Sequence, residues 1–215
     1  SVNFIASLRD KLQGSRKPVV LNGVVGPRGD AYAPEAKVAA HESEDYHSLQ
    51  VGWLAATEVD MITGLTFTQS DEAIGVIRAG QKVGLPVVIS FTVETDGKLP
   101  TGEALGDAIH KVDDATENGA AYFMLNCAHP EHFFSKLADA DWSRRIRGLR
   151  CNASRLSHAE LDDCDELDAG NPGELAGEYE EILATMPWIN VFGGCCGTDL
   201  RHVRRIAKAM AVRFQ

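Results

Sequence analysis

Residues 86–91 read Pro86-Val87-Val88-Ile89-Ser90-Phe91, a nearly continuous run of β-branched and aromatic side chains. A short run without polar alternation is typical of a strand that is buried on both faces of a parallel sheet. Similar runs occur at 18–21 (PVVL), 59–62 (VDMI), 121–125 (AYFML), 146–151 (IRGLRC) and 188–192 (WINVF). Helical patterns lie between or after them, at 36–57, 71–83, 105–118, 173–186 and 200–212. This alternation predicts repeated βα units and a parallel sheet.

Polar and reactive residues follow the predicted strands. They are Asn22-Gly23, residues 92–95, Asn126-Cys127, Asn152 and residues 193–198. Parallel α/β folds collect binding residues at that end of the strands, and a barrel brings the ends around one mouth, whereas an open doubly wound sheet spreads them. We therefore predict a TIM-type (β/α)8 barrel, formed by a single domain over residues 1–215. A complete barrel has eight units and six are visible in the sequence, so two units are expected to be absent.

The composition is that of a globular protein, with 44% hydrophobic and 24% charged residues. A net charge of −10 disfavours a nucleic-acid partner. The sequence has no apolar run long enough to span a membrane and no secretory signal pattern, which predicts a cytoplasmic protein. The five cysteines, an odd number, fit a reducing compartment. Cys151 is expected in the core, and Cys164, in an acidic run, is expected to have no role.

The adjacent pair Cys195-Cys196 lies between glycines in the stretch GGCCGT, residues 193–198. Consecutive side chains of a regular strand point to opposite faces, so both thiols reach one metal ion only if the backbone turns where the strand ends. The flanking glycines permit that turn. Cys127, at the end of another predicted strand, is the natural third ligand. The competing interpretation is that all three cysteines are small buried core residues.

Three thiolates suit zinc, which accepts sulfur at about 2.3 Å and prefers four ligands in a tetrahedron. A catalytic site leaves one position open, whereas a closed structural site would need a fourth ligand such as His129 or His202. His202 fits a helix face better. A sulfur-rich shell makes zinc a poor Lewis acid towards water but a good one towards an incoming thiol. The donor set therefore favours alkyl transfer onto a thiol over hydrolysis.

Further candidates for substrate binding follow the predicted strands: Gly23, Thr92, Glu94, Asn126 and Asn152. Asn126 could bind a substrate carboxylate or orient Cys127, but asparagine is also a routine turn residue. The glycine-rich turn that contains Gly23 matches neither a dinucleotide fingerprint nor a phosphate loop. We expect that turn to approach the substrate closely.

Several motifs together resemble the homocysteine S-methyltransferase family. They are GGCCGT at 193–198, NCAHP at 126–130, NGVVGPRGDAY at 22–32 and SFTVETDGKLPTGE at 90–103. The resemblance implies a zinc-dependent β/α barrel with Cys127, Cys195 and Cys196 as zinc ligands and the homocysteine sulfur in the fourth position. It also implies methionine as the product. The methyl donor varies across the family and includes S-methylmethionine, S-adenosylmethionine, betaine and folate-type donors.

Two departures from the family pattern affect the expected function. In the family a glutamate, which holds the amino group of homocysteine, commonly precedes the threonine where Leu65-Thr66 stands here. Leucine cannot accept a hydrogen bond, so either Glu58 or Glu94 supplies the charge or the thiol is not homocysteine. Residues 1–14 resemble the helix that precedes the family's third strand, so the first two βα units are expected to be absent.

A barrel without two βα units would have unpaired strand edges and apolar faces exposed to solvent. We therefore expect a homo-oligomer, a missing N-terminal partner segment or a fragment. The first functional hypothesis is zinc-dependent methyl transfer from a small donor to a small thiol. The second is a zinc- or thiol-binding barrel without turnover, or one part of a split enzyme. The third is a barrel enzyme for an unrelated ligand, with structural cysteines.

Overall fold

A computed structural model describes residues 1–12, 18–32, 37–137 and 140–211 of the chain. Its strands are β1 (Asn22–Val25), β2 (Met61–Phe67), β3 (Val87–Phe91), β4 (Ala120–Asn126), β5 (Ile146–Cys151) and β6 (Val191–Gly194). Its helices are α1 (Val2–Leu12), α2 (Ala40–Ala55), α3 (Ser70–Val83), α4 (Leu105–Thr116), α5 (Pro130–Leu137), α6 (His158–Asp162), α7 (Pro172–Thr185) and α8 (Leu200–Ala211). A short 3₁₀ helix, Asp141–Arg145, precedes β5.

The six strands form one parallel sheet in the order of the chain, from β1 to β6. A doubly wound sheet reverses its strand order at a switch point, so the sequential order excludes that alternative. The order is that of a (β/α) barrel, and the predicted α/β class is confirmed. The barrel is partial, because β1 and β6 are the two ends of this sheet among the residues that the structure describes.

Burial is greatest at the middle of the sheet. Every residue of β3 is buried, as expected for a parallel strand covered on both faces. In β1 buried and exposed residues alternate, and β6 is only half-buried along its length. The polar residues that follow β3 and β4 therefore lie next to the best-packed part of the sheet, where these two strands pair.

The helix predictions agree with the structure to within a few residues, but three strand predictions were wrong in their bounds. The first strand starts at Asn22 and not at Pro18, because it begins where it pairs with Met61 of β2. Val19 and Val20 are exposed despite their strand-forming side chains. Strand β2 runs on to Phe67 and β6 begins only at Val191. In each case strand pairing overrides local propensity.

Apolar side chains are exposed beside the β1 end of the sheet. Val24 of β1 is 47% exposed, Trp53 of α2 is 65% exposed and Phe4 of α1 is 65% exposed. These exposures agree with the prediction that an apolar face is exposed to solvent. That an oligomer or a partner segment covers this face stays a prediction. None of the described helices combines the length and the apolar character that a membrane span requires.

Candidate metal and thiol site

Three cysteine sulfur atoms meet at the carboxyl ends of the strands. Cys127 follows β4, and Cys195 and Cys196 follow β6. The Sγ atom of Cys127 lies 2.7 Å from that of Cys195 and 4.0 Å from that of Cys196. All three sulfur atoms lie within 4.8 Å of one another, and they form the one such cluster of potential metal ligands among the described residues.

The backbone turns at the cysteine pair, as the flanking glycines suggested. The Cys195 amide still donates to the Cys151 carbonyl, 2.9 Å away, as a continuation of the sheet. The Cys195 carbonyl then accepts from the Thr198 amide at 3.1 Å and from the Thr198 hydroxyl at 2.6 Å. Gly197 has a φ of 75°, a left-handed conformation that glycine adopts without strain. This turn lets two consecutive thiols approach the same point.

Cys127 has a left-handed backbone, with a φ of 56°. Its amide donates to the Arg150 carbonyl at 3.2 Å. Its carbonyl accepts two side-chain hydrogen bonds, from Asn152 Nδ2 at 2.9 Å and from His158 Nε2 at 2.6 Å. Both lone pairs of that carbonyl are therefore engaged, which fixes the peptide plane after Cys127.

Asn152 connects the two cysteine loops. Its side-chain nitrogen donates to the Cys127 carbonyl, and its side-chain oxygen accepts from the Cys196 amide at 3.1 Å. The side chain is buried, so these hydrogen bonds are shielded from water. The sequence predicted substrate binding for Asn152. In the structure its amide links the loops that carry Cys127 and Cys196, and substrate binding by Asn152 stays a prediction.

Asn126 is buried beneath the cluster and its amide is fully engaged by the protein. Its Oδ1 accepts from the Ser90 hydroxyl at 2.6 Å and from the Thr66 amide at 3.0 Å. Its Nδ2 donates to the Thr66 hydroxyl at 2.8 Å. Thr66, like Cys127, has a left-handed backbone, with a φ of 65°. Of the two predicted roles for Asn126, the contacts favour orientation of its neighbours over binding of a substrate carboxylate.

The three thiols share negative charge unequally. Hydrogen bonds from Cys195 and Cys196 lower the pKa of Cys127 to about 2. The same contacts with Cys127 raise the pKa of Cys195 and that of Cys196. The surroundings therefore favour the charged form at Cys127 and the neutral form at its two neighbours, because adjacent thiolates repel one another.

Tyr32 is a site residue that the sequence analysis missed. Its hydroxyl hydrogen-bonds to Cys127 and Thr92, and burial, reinforced by the Cys127 charge, raises the pKa of this phenol. Its loop is fixed by buried Glu72, whose Oε1 accepts from the Arg28 amide at 2.6 Å. The tyrosine ends the glycine-rich NGVVGPRGDAY stretch, so its position after that loop was the available signal.

His158, at the start of α6, was also missed. Its ring lies 4.2 Å from the ring of Tyr32, centroid to centroid. Two predicted site residues contact it: Glu94 Oε1 lies 3.2 Å from Nδ1, and Thr92 Oγ1 lies 3.5 Å from Nε2. No local pattern marks this histidine, because its partners come from other strands of the sheet.

Gly23 lies inside β1 and not in a turn after it, which corrects its predicted position. A side chain at residue 23 would meet Ile62 and Leu54 at about 3.0 and 3.1 Å. The absence of a side chain therefore allows α2 to pack closely on β1 and β2. This position gives Gly23 a packing role, and a close approach of Gly23 to the substrate stays a prediction.

The two histidines considered as a fourth ligand have other partners. His129 Nε2 lies 3.2 Å from Glu178 Oε2, and burial lowers the pKa of His129 to about 4. His202 is buried in α8, with Nε2 2.8 Å from the Ala169 carbonyl. Neither belongs to the sulfur cluster. Cys151 is fully buried, which raises the pKa of its thiol, and Cys164 is exposed.

A cavity of about 330 Å³ opens beside Cys196. Its walls include Asn152, His158 and the ring of Tyr32, together with Leu161 and Leu167. Its acidic lining residues are Asp162, Asp165, Glu166 and Asp168, and the described lining contains no lysine or arginine. The cavity is large enough for a small metabolite and has a negative wall next to the thiols.

The sequence model of the family described as homocysteine S-methyltransferase matches residues 1–210. A methionine synthase of Mycobacterium leprae is 31% identical over 147 residues, which cover 64% of this chain and 11% of that protein. Homocysteine S-methyltransferase 3 of Arabidopsis thaliana is 23% identical over 214 residues, which cover 93% of this chain and 59% of that protein. The chain thus spans less than two-thirds of the length of these curated relatives.

The fold is similar to that of the homocysteine methyltransferase MmuM from Escherichia coli. The crystal structure of its metallated form matches with a TM-score of 0.71 and 16% identity, over 95% of this chain and 65% of that one. At this identity the likeness shows the fold alone. It agrees with the sequential parallel order of β1 to β6.

Proposed function

Because the chain belongs to the homocysteine S-methyltransferase family, we propose that it transfers a methyl group to a small thiol, with homocysteine as the first candidate, and that it uses zinc held by Cys127, Cys195 and Cys196. The convergence of three sulfur atoms from two strand ends carries this proposal. The transfer breaks the bond between the methyl carbon and the donor, forms a carbon–sulfur bond to the acceptor, and releases the thiol proton.

The sulfur cluster fits a zinc ion. Tetrahedral zinc with bonds of about 2.3 Å separates neighbouring sulfurs by about 3.8 Å. The 4.0 Å between Cys127 and Cys196 is close to that value, and the 2.7 Å between Cys127 and Cys195 would have to widen by about 1 Å. When bound, zinc would lower the pKa of the acceptor thiol, so that a nucleophilic sulfur is available at neutral pH.

The protein's own residues would prepare this site in two ways. Asn126 and Asn152 hold the backbone that carries the cysteines, and the Tyr32 hydroxyl donates to the Cys127 sulfur. The Tyr32 ring, which follows β1 in the chain, also lines the cavity. A donor in the cavity would therefore lie next to Cys196, with its approach limited by Tyr32 and Leu161.

Of the two carboxylates expected to bind the amino group of the acceptor, Glu58 and Glu94, only Glu94 lies beside the thiols. Glu58 lies before β2, and the thiols follow the carboxyl ends of the parallel strands, so Glu58 is at the opposite end of the sheet. Its Oε2 accepts from Arg9 of α1 at 2.8 Å. This position disfavours Glu58 as the replacement for the missing glutamate. Glu94 remains, because its Oε1 contacts His158 beside Cys127. Homocysteine binding through Glu94 and a different small thiol are the surviving alternatives.

The charge of the cavity favours a cationic methyl donor, such as a sulfonium compound, over an anionic folate. Four carboxylates line it, and no lysine or arginine does among the described residues. A sulfonium loses its positive charge as the methyl group leaves, so the carboxylates chiefly assist capture of the donor. An aromatic wall such as Tyr32 adds favourable contact with a cation.

We expect the double variant Asp165→Asn/Glu166→Gln to raise the KM for S-methylmethionine about 3- to 10-fold at low salt, because two exposed charges near the cavity are removed. The difference should shrink as the salt concentration rises. The matched control is Glu180→Gln/Glu181→Gln on α7, which removes two charges away from the cavity. An unchanged KM, or equal effects in both double variants, would contradict the charge argument.

The proposed function is tested with zinc-loaded protein, homocysteine and S-methylmethionine, by measuring methionine formation in a time course. We expect turnover that depends on protein, zinc and thiol together. Cysteine and a simple alkyl thiol serve as competing acceptors, which tests the effect of Leu65. Zinc binding without methylation of any of these thiols would support the binding protein without turnover instead.

A further inference from the structure

We propose that His158 is a positioning residue for Cys127 and that Glu94 orients it; this inference rests on the proposed zinc site. The observation is a chain of contacts across three strand ends. Glu94 after β3 faces His158 Nδ1 at 3.2 Å, and His158 Nε2 faces the carbonyl of Cys127 after β4 at 2.6 Å. A carbonyl oxygen and a carboxylate oxygen both accept, so in this arrangement Nε2 donates to the Cys127 carbonyl and Nδ1 donates to Glu94, and both ring nitrogens carry a hydrogen.

Cys127 needs such a partner because its backbone is strained. A left-handed conformation is unfavourable for a residue with a side chain, and Cys127 has a φ of 56°. The strain persists only where the surroundings determine the peptide orientation. The orientation of the peptide after Cys127 is set at its carbonyl, because this carbonyl accepts from both His158 and Asn152. A rotation of this peptide would move the Cys127 sulfur away from the other two.

The imidazole of His158 is itself fixed from several sides. Ser157 caps α6 by accepting from the Glu160 amide, so the residue that carries the ring begins a defined turn. The ring of Tyr32 lies against one side of the imidazole and the Glu94 carboxylate lies at its far nitrogen. The His158 side chain is only 12% exposed, which limits competition from water. An oriented donor at the backbone of a ligand residue resembles the outer hydrogen bonds that tune metal sites.

This role also reassigns Glu94. From the sequence Glu94 is a candidate for binding the amino group of the acceptor, but in the structure one of its oxygens faces an imidazole nitrogen. In the proposed arrangement Glu94 acts on the metal site through His158. Replacement of Glu94 should then change the zinc affinity. Replacement of a residue that contacts only the acceptor would leave the zinc affinity unchanged.

The test compares zinc affinity, by competition with a chromophoric chelator, and the absorption spectrum of the cobalt(II)-substituted protein. We expect His158→Leu to weaken zinc binding about 10- to 100-fold and to shift the sulfur-to-cobalt bands. His158→Gln keeps a donor near the Nε2 position and should stay within about threefold of wild type. Glu94→Leu should weaken binding in the same direction as His158→Leu, by a smaller factor.

His132→Leu is the matched control, because His132 Nε2 also contacts a backbone carbonyl, that of Arg155, at 3.0 Å but does not touch a cysteine. It should leave zinc affinity unchanged. Thermal unfolding of each metal-free variant separates loss of fold from loss of the site. If His158→Leu does not fold, the comparison of Glu94→Leu with His158→Gln decides the inference.

Wild-type zinc affinity and cobalt spectra in both His158→Leu and Glu94→Leu would overturn the inference while leaving the zinc site intact. An equal loss in His132→Leu, or a loss in His158→Gln as large as in His158→Leu, would also overturn it. If Glu94→Leu raised only the KM for the thiol, Glu94 would be an acceptor-binding residue and its orienting role would be wrong. A wild-type protein that binds no zinc would instead refute the proposed function, and this inference with it.

Discussion

Replacing Cys196 with alanine is expected to lower methyl transfer to a thiol by at least about 100-fold and to weaken zinc binding strongly. The variant removes one of the three sulfur atoms that converge within 4.8 Å. Cys196 is exposed, so the loss of its side chain creates no core cavity, and the metal-free variant should still fold although it loses the contact with Cys127. The activity loss should therefore occur in a folded protein.

The matched control is Cys164→Ala, which also removes an exposed thiol but one that lies outside the sulfur cluster. We expect wild-type zinc content for this control, although its thiol lines the cavity beside Cys196. Methionine formation by Cys196→Ala and by wild type is measured under reducing conditions. Wild-type kinetics for Cys196→Ala would show that the cysteine pair is not part of the reaction and would return the cysteines to a structural role.

Replacing Asn126 with alanine is expected to destabilise the protein by about 3 kcal/mol. The change removes three hydrogen bonds, two to Thr66 and one to Ser90, and leaves buried polar atoms without partners, at about 1–3 kcal/mol for each atom left unsatisfied. Thr66, which has a left-handed backbone, would lose both of its contacts with Asn126. Urea denaturation of the metal-free protein measures this loss directly.

Asn190→Ala is a suitable control, because Asn190 is exposed before β6 and its substitution should change stability by less than about 0.5 kcal/mol. If Asn126 bound the substrate carboxylate instead, Asn126→Ala would raise the KM for the thiol with little change in stability. That outcome would contradict the positioning role that the contacts of Asn126 support.

The sequence could predict those parts of the fold that depend on local patterns. Strand β5 has the predicted bounds, and the buried run at 86–91 is the fully buried β3. The first strand could not be placed correctly, because Val19 and Val20 favour a strand locally while pairing with β2 begins only at Asn22. The bounds of a strand are set by its neighbour as well as by its own side chains.

Some residues of the candidate site could likewise be predicted from local sequence pattern, and others could not. The cysteine pair is visible because two adjacent thiols between glycines are an unusual local pattern, and the structure does bring Cys127 to them. His158 could not be found from local pattern, and Tyr32 was marked only by its place at the end of the glycine-rich stretch, because each reaches Cys127 from a different part of the chain. The roles of Asn126 and Asn152 depend on partners more than 20 residues away in the chain, at Thr66 and at Cys127 and Cys196.

The central claim, that Cys127, Cys195 and Cys196 hold a zinc ion, is tested most directly by elemental analysis of protein purified under reducing conditions. Wild type and Cys195→Ser/Cys196→Ser are compared at known protein concentration, with Cys164→Ala as the control. We expect about one zinc per chain in wild type and in the control, and loss of that zinc in the double variant. No zinc in wild type, or equal zinc in all three proteins, would contradict the account.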